Sequence, residues 1–369
     1  MAAPTEFDAV PIPDYGPWLD IDVSALVRNA ASYAARVGVP LLPMVKANGY
    51  GLGAVAVAQA LETLGPWGFG VATLEEAKEL RVAGITRPIV VFLPFIADAL
   101  ETYLALDARP SIGGLDELRT WQAASSRAFH LAVDTGMGRG GVSWRDQAHI
   151  SAIGEAVADA VGYEGGFTHF HSADSDPSAT DTQWDRFQAV IHALGPRPPI
   201  IHAANSAAGM AGSKYAGTMA RPGIFLYGGQ AAGWAPEAVG SLSAMVHAVR
   251  PIGAGDPVSY GATYRASGAA DVATLGIGYA DGVPRALGNN GLVEFGAITA
   301  PIAGRVTMDM IMVVVPRGTV AVGDHGTIFG PTNPIDAQAL RAGTISYQLL
   351  TAVGRRVRRR YHGGEGIVS

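Results

Sequence analysis

One apolar run of this chain ends in a lysine, in MVKANGYGLG, so the amine of Lys46 follows residues that are otherwise apolar. Such a lysine either snorkels its ammonium to water or is used as an amine. Other stretches place polar groups after apolar runs in the same way. VDTGMGRGGV carries Arg139 in a glycine-rich loop, THFHSAD carries His169, and HAANSAA carries Asn205 and Ser206. ARPGIFLYG then sets Arg221, Gly223 and Ile224 in a turn whose backbone N–H groups can face an anion. Each feature also has a bland reading. Arg139 can pair with Asp134 in its own loop, His169 can be a satisfied core imidazole, and Gly223 can serve only the turn. Brought to one place, an amine, a phosphate cradle and an arginine make a pyridoxal phosphate site, because a lysine Schiff base is how that cofactor is held.

The elements that must bring them together are legible from periodicity. From about residue 40 to 228, short β-rich apolar runs alternate with helical patterns, as in a parallel sheet with crossover helices. Strands are predicted at 41–46, 69–73, 89–93, 110–112, 129–133, 166–170, 200–204 and 217–221. Helices are predicted at 54–64, 74–82, 97–106, 115–123, 148–160 and 182–194. Eight such strands predict a (β/α)8 TIM barrel, whose functional groups sit at the C-terminal strand ends and whose phosphate sites commonly follow strands seven and eight. Lys46, Arg139, His169, Ser206 and Gly223 all fall at such ends. After residue 228, alternating segments at 244–249, 271–277, 310–315 and 327–329, cut by Gly, Pro and Asp turns, predict a mostly antiparallel β domain. The expected division is a cofactor-binding barrel domain over 1–235, with an N-terminal extension, and a C-terminal β domain over 236–369.

Composition limits the function classes. With 369 residues, 49% of them apolar and 16% charged, the chain has the material for compact folding and is not mainly disordered. A net charge of −6 offers no field for a polyanion, so nucleic acid is not an expected partner. The absence of cysteine excludes disulfides, thiolate metal centres and cysteine nucleophiles, and it suits a reducing cytosol; no metal site is expected. The opening MAAPTEFDAVPIPDYGPWLD has acids and prolines in place of a basic start, and no apolar stretch reaches the ~18 residues of a membrane span. A cytoplasmic protein without a membrane partner is therefore expected. The basic run RRVRRRY at 355–361 reads as the solvated face of a terminal strand.

Eight motifs in order resemble the alanine racemase family of barrel-fold pyridoxal phosphate enzymes. They are VKANGYG at Lys46, VDTGMGRGGV at Arg139, THF at His169, HAANSAA at Ser206, RPGIFLYG at Arg221, VSYGATY at Tyr260, GIGYADG at Tyr279 and GRVTMD at Met308 and Asp309. The resemblance runs nearly end to end. It implies reversible racemisation of L- and D-alanine by two bases acting on a substrate linked to pyridoxal 5′-phosphate, in a homodimer that supplies D-alanine for peptidoglycan. Lys46 then holds the cofactor and is one base, and Tyr260, reaching into the site of the other subunit, is the second. Tyr50, Ser206, Gly223, Ile224 and Tyr347 match phosphate-contacting positions. His169 matches the residue beside the cofactor ring, and Arg221 matches the partner of the pyridine nitrogen. An arginine stays protonated and leaves that nitrogen unprotonated, which weakens the cofactor as an electron sink and disfavours transamination. Arg139 matches the residue that binds the substrate carboxylate, while Tyr279, Tyr347 and Met308 bound the pocket volume. A racemase of another small or broader amino acid such as serine, and a non-catalytic cofactor-binding protein, are the alternatives. Two positions depart from the family: Leu52 stands where histidine is common, and Ala132 where a carbamylated lysine commonly pairs with the arginine matching Arg139. A small anion or water is expected to replace that negative group, with a protein carboxylate such as Asp134 as the other candidate.

Overall fold

A computed structural model describes residues 15–363; the expected extension up to residue 14 and the last six residues of the chain lie outside the described residues. One compact unit holds Ile21–Gly240 together with Ser346–Thr351 and residues 361–363. Its parallel sheet runs in the order Phe69–Val71, Ile89–Pro94, Ala108–Ile112, Phe129–Asp134, Tyr163–Phe167 and Ile200–His202. The predicted first and last barrel strands are present as single parallel bridges in place of ladders, Leu41 to Ala220 and Met44 to Gly70. The reason is local: Pro40, Pro43 and Pro222 have no N–H to give. The donors that remain still close the ring, Leu42 N to Ala220 O at 2.8 Å and Val45 N to Gly70 O at 2.9 Å. The fold is thus the (β/α)8 barrel that the strand count predicts.

Helices begin where the sequence supplies caps. Leu74–Val82 starts on a reciprocal box, with Thr73 accepting from the Glu76 amide and Glu76 accepting from the Thr73 amide. A helix absent from the predicted set, Val23–Val37, is capped by the Asp22 carboxylate on the Ala25 amide and ends at Gly38 with φ 68°. Its buried face mixes Asn29, Ala30 and Tyr33 with Leu26 and Val37, which dilutes the apolar period in the sequence.

The other unit holds residues 15–20, Ser241–Ile345 and Ala352–Arg360. Here Gly240–Ile252 pairs antiparallel with Ala270–Leu275 and with His325–Phe329, and Ala270–Leu275 pairs with Ile311–Val315. In Ile311–Val315 the alternation is clean, with Ile311, Val313 and Val315 buried and the residues between them half-buried. The arginine run does form a strand, Arg358–His362, but it is not simply solvated. Arg356 bridges Asp281 and Asp309, each at 2.9 Å, and Arg360 pairs with Asp20 at 2.8 Å. Among the described residues, no helix is long and apolar enough to cross a membrane.

Candidate active site

Lys46 does not end a strand ladder; it opens a turn of unusual hand. Ala47, Asn48, Gly49 and Tyr50 have φ of 52°, 54°, 58° and 54°, so three non-glycine residues lie in the left-handed region, at roughly 1–2 kcal/mol each. Neighbours hold the turn in place. The Glu76 carboxylate accepts from the Ala47 amide and from the Ala72 amide, both at 2.6 Å, and Asn48 Oδ1 accepts from the Ala54 amide at 3.0 Å. Gly51 admits no side chain, since a Cβ there would lie 2.2 Å from the Leu350 carbonyl. Tyr50 is buried, stacked on Tyr227 at 4.4 Å between ring centres and 5.9 Å from Tyr347. Burial holds the Lys46 ammonium below the usual lysine value, Arg139 and Arg221 push the same way, and Glu76 pulls back.

Lys46 lines a cavity of about 330 Å3 together with Tyr50, Arg139, His169, Ser206, Arg221, Gly223 and Tyr347. On one wall, Ser206 Oγ accepts from the Gly223 amide at 2.8 Å and the Phe225 amide at 3.2 Å, leaving its own proton without an acceptor among the described residues. The Tyr50 hydroxyl, also unpartnered among the described residues, lies so close over Gly223 that a Cβ would come within 2.3 Å of it. Two free hydroxyl donors beside a side-chain-free backbone suit a phosphate ester. Ile224, next in the chain, is buried, but its side chain is not part of the cavity lining.

On another wall Arg221 is 4% exposed, and every acceptor it meets among the described residues is neutral: Thr168 O at 2.8 Å, Ala203 O at 3.3 Å, His202 O, and His202 Nδ1 at 3.0 Å. Burial holds its guanidinium down to about 9, so it remains charged at neutral pH. Burial, followed by the charges of Arg221, Arg139 and Lys46, pushes His169 down to about 3. The imidazole is therefore neutral. Gln183, fully buried, donates to the His169 carbonyl and accepts from the His171 amide, fixing the segment that carries it.

Arg139 is exposed on its loop in the chain alone, and no carboxylate among the described residues pairs with it. Asp134 is engaged elsewhere, accepting from the amides of Gly136 and Gly138, so it is not the replacement for the group missing at Ala132. Ala132 and Arg139 instead share a second hollow of about 210 Å3 with Lys46 and His169. Tyr260, Tyr279 and Met308 belong to the other unit. Tyr260 lies on a single turn following Ser259 at φ 67° and is 71% exposed. Tyr279 and Met308 lie on two loops stitched together by Tyr279 N to Thr307 O and Ala280 N to Met308 O, at 2.9 and 3.1 Å.

Several residues of the site escaped sequence reading. Met44, Ala47, Phe92 and Thr351 line the cavity, and His202 stands behind Arg221. Only His202 gave a signal, a histidine inside the apolar run IIHAA.

Comparison with known proteins extends over most of the chain. The family model "Alanine racemase, N-terminal domain" matches residues 21–231, and "Alanine racemase, C-terminal domain" matches 239–361. A protein named alanine racemase from Acidiphilium cryptum is 36% identical over 354 residues, covering 93% of this chain and 98% of that one. Another from Halothermothrix orenii is 35% identical over 365 residues, 93% and 96%. Among solved structures, the alanine racemase of Bartonella henselae with covalently bound pyridoxal phosphate superposes with a TM-score of 0.88 at 30% identity, covering 95% of this chain and 100% of that one. The alanine racemase from D-cycloserine-producing Streptomyces lavendulae gives 0.87 at 32%, covering 96% and 98%.

Proposed function

The chain belongs to the alanine racemase family, and on that premise we propose that it interconverts L- and D-alanine with pyridoxal 5′-phosphate as cofactor. The observation that carries this reading is the convergence of a depressed lysine amine, an anion cradle and a buried arginine in one cavity. When bound, the cofactor supplies an electron sink that acidifies the Cα–H of an attached amino acid. Lys46 is the residue that would hold it, with Tyr50, Ser206, Gly223, Ile224 and Tyr347 at its phosphate, His169 beside its ring and Arg221 at its pyridine nitrogen.

Racemisation requires a proton to leave one face of planar Cα and arrive on the other. Lys46 serves one face, and burial makes its amine a free base closer to neutral pH than an ordinary lysine. Tyr260 serves the other face from the partner subunit; its exposure on a single chain supports insertion into a neighbour. Arg139 binds the carboxylate, and Tyr279 and Met308 limit the side chain that fits. The same reading makes the protein a cytoplasmic homodimer that supplies D-alanine for peptidoglycan. Polarimetry on the purified, cofactor-loaded protein with L-alanine, D-alanine and L-serine tests it. Alanine should turn over in both directions faster than serine, and Lys46→Ala should be inert. Faster serine turnover would replace the substrate, and cofactor binding without turnover would leave only a binding protein.

A further inference from the structure

Behind Arg221, away from the cavity, a single file of buried side chains crosses the barrel. Arg221 NH1 lies 3.0 Å from His202 Nδ1, His202 Nε2 lies 2.7 Å from His130 Nδ1, and His130 Nε2 lies 3.1 Å from Glu164 Oε2. Both imidazoles are fully buried. His130 and His202 are not on adjacent strands: Tyr163–Phe167 runs between Phe129–Asp134 and Ile200–His202. Their hydrogen bond passes over that middle strand at Gly165, the register partner of His130, where a Cβ would sit 2.6 Å from His130 Nδ1. A histidine on each outer strand and a glycine on the middle one are therefore all needed for the file to exist.

The direction of every bond follows from its first member. A guanidinium has no acceptor, so His202 Nδ1 accepts and carries no proton. His202 is then the neutral Nε2–H tautomer and donates to His130 Nδ1. His130 Nδ1 must accept, so His130 is also neutral and its Nε2–H donates to Glu164. The short contact between His130 and Glu164 is accordingly a neutral-donor hydrogen bond to a carboxylate, not an ion pair. Burial pushes the Glu164 carboxyl up, but His130 and Arg109, whose Nε lies 3.3 Å away, outweigh this and keep it ionised. Among the described residues Arg221 touches no carboxylate, so Glu164 is the negative charge to which its guanidinium is hydrogen-bonded through the two rings.

We propose that Glu164, acting through His130 and His202, is a positioning residue that holds Arg221 in the charge state and orientation it presents to the cavity. This rests on the reading of Arg221 as the partner of the cofactor's pyridine nitrogen. Hydrogen bonds in a buried chain polarise one another, so negative charge at one end strengthens the donor–acceptor contacts at the other. Losing it loosens Arg221, and the ring nitrogen it guards becomes freer to take a proton. The cofactor is then a stronger electron sink. More turnovers end with the amino nitrogen of alanine transferred to the cofactor, leaving pyruvate and the aminated cofactor.

Glu164→Gln tests this directly, because the amide oxygen can still accept from His130 while the charge is gone. In the cofactor-loaded protein, pyruvate formed per racemisation should rise about tenfold, equivalent to about 1.4 kcal/mol less bias against transamination, with KM for alanine unchanged. Nitrogen-15 NMR of the histidines gives a readout independent of turnover. In the parent protein both rings should be neutral Nε2–H tautomers, with the proton between them far downfield. That resonance should move upfield in Glu164→Gln. Glu164→Asp, which keeps the charge but draws it back from His130 Nε2, should also move it upfield and serves if the first variant does not fold. A protonated imidazole or an Nδ1–H tautomer of His202 would overturn the inference, as would unchanged resonances and an unchanged pyruvate ratio in variants that fold. If the parent itself fails to racemise alanine, the functional reading falls instead, and the NMR comparison still decides the file.

Discussion

Gly223→Ala isolates the anion cradle. Gly223 does not occupy the left-handed region, so alanine strains no backbone, and the whole effect is that of one Cβ. That atom would lie 2.3 Å from Tyr50 Oη and 3.0 Å from Cζ, against 3.4–4 Å for ordinary contact, so the phenol must retreat by about 1 Å. Tyr50 has little room to do so, being stacked on buried Tyr227 and rooted in the left-handed turn. Overpacking of this kind costs about 1–3 kcal/mol of folding stability. The displaced hydroxyl is also one of the two free donors of the cradle, and losing about 1.4 kcal/mol there weakens cofactor binding tenfold. Thermal melts of the cofactor-free protein and fluorescence titration with pyridoxal phosphate read the two effects separately. Both should fall in Gly223→Ala. Adding Tyr50→Phe removes the oxygen but leaves Cζ tight at 3.0 Å, so the double variant should regain part of the melting temperature and none of the affinity. Parental melting and affinity in Gly223→Ala, or no recovery of melting in the double variant, would show that this contact does not shape the cradle.

Other consequences are as direct. Borohydride reduction of the loaded protein should bleach its visible absorbance and leave the cofactor on Lys46; an adduct mapped to another lysine would remove Lys46 from its role. Tyr260→Phe should keep the cofactor but stop proton abstraction from one enantiomer, L-alanine by family analogy, as seen by deuterium wash-in from solvent; equal residual rates from both enantiomers would point to one swinging base. Lys46→Ala and Tyr260→Phe proteins, dissociated and reassociated together, should regain activity through hybrid dimers, whereas proven hybrids without activity would put both bases in one chain. Because Arg139 has no carboxylate partner among the described residues, rates at fixed ionic strength should depend on halide concentration, and indifference to halide would argue against a small anion in the hollow beside Ala132.

The predicted strands at 69–73, 89–93 and 129–133 lie within two residues of Phe69–Val71, Ile89–Pro94 and Phe129–Asp134, because strands buried on both faces are nearly continuous apolar runs. The strand predicted at 166–170 sits three residues earlier, as Tyr163–Phe167. Glu164 and two glycines there do not read as strand, yet the file of imidazoles passes over one of those glycines. The left-handed turn at Lys46 is only half legible: Asn48 and Gly49 tolerate a positive φ, but Ala47 and Tyr50, which share it, do not announce one. Residues that line the cavity were legible as motifs, since lysine, arginine and serine after apolar runs are conspicuous. The groups that hold them were not. Glu76, His130, Gln183 and His202 read along the chain only as interruptions, because partners such as Ala47, 29 residues from Glu76, Thr135, 48 residues from Gln183, and His202, 72 residues from His130, meet them only across the fold.

The barrel unit is not contiguous in the chain, and this sets an order on its biogenesis. Ser346–Thr351 and residues 361–363 belong with Ile21–Gly240. Tyr347 and Thr351 line the cavity, Leu350 presses on Gly51, and the Tyr361 hydroxyl donates to the Leu52 carbonyl at 2.8 Å. A ribosome that has finished Gly240 has therefore made the lysine but not the residues that close its turn, and roughly 120 more must follow, or ~6–24 s of synthesis. Capture of the cofactor is thereby deferred until synthesis has passed Tyr361. A nascent or truncated barrel ending at Gly240 should neither retain the cofactor nor sequester it from the pool. Exchange of the second unit between relatives can succeed only where Ser346–Thr351 travels with the barrel it serves.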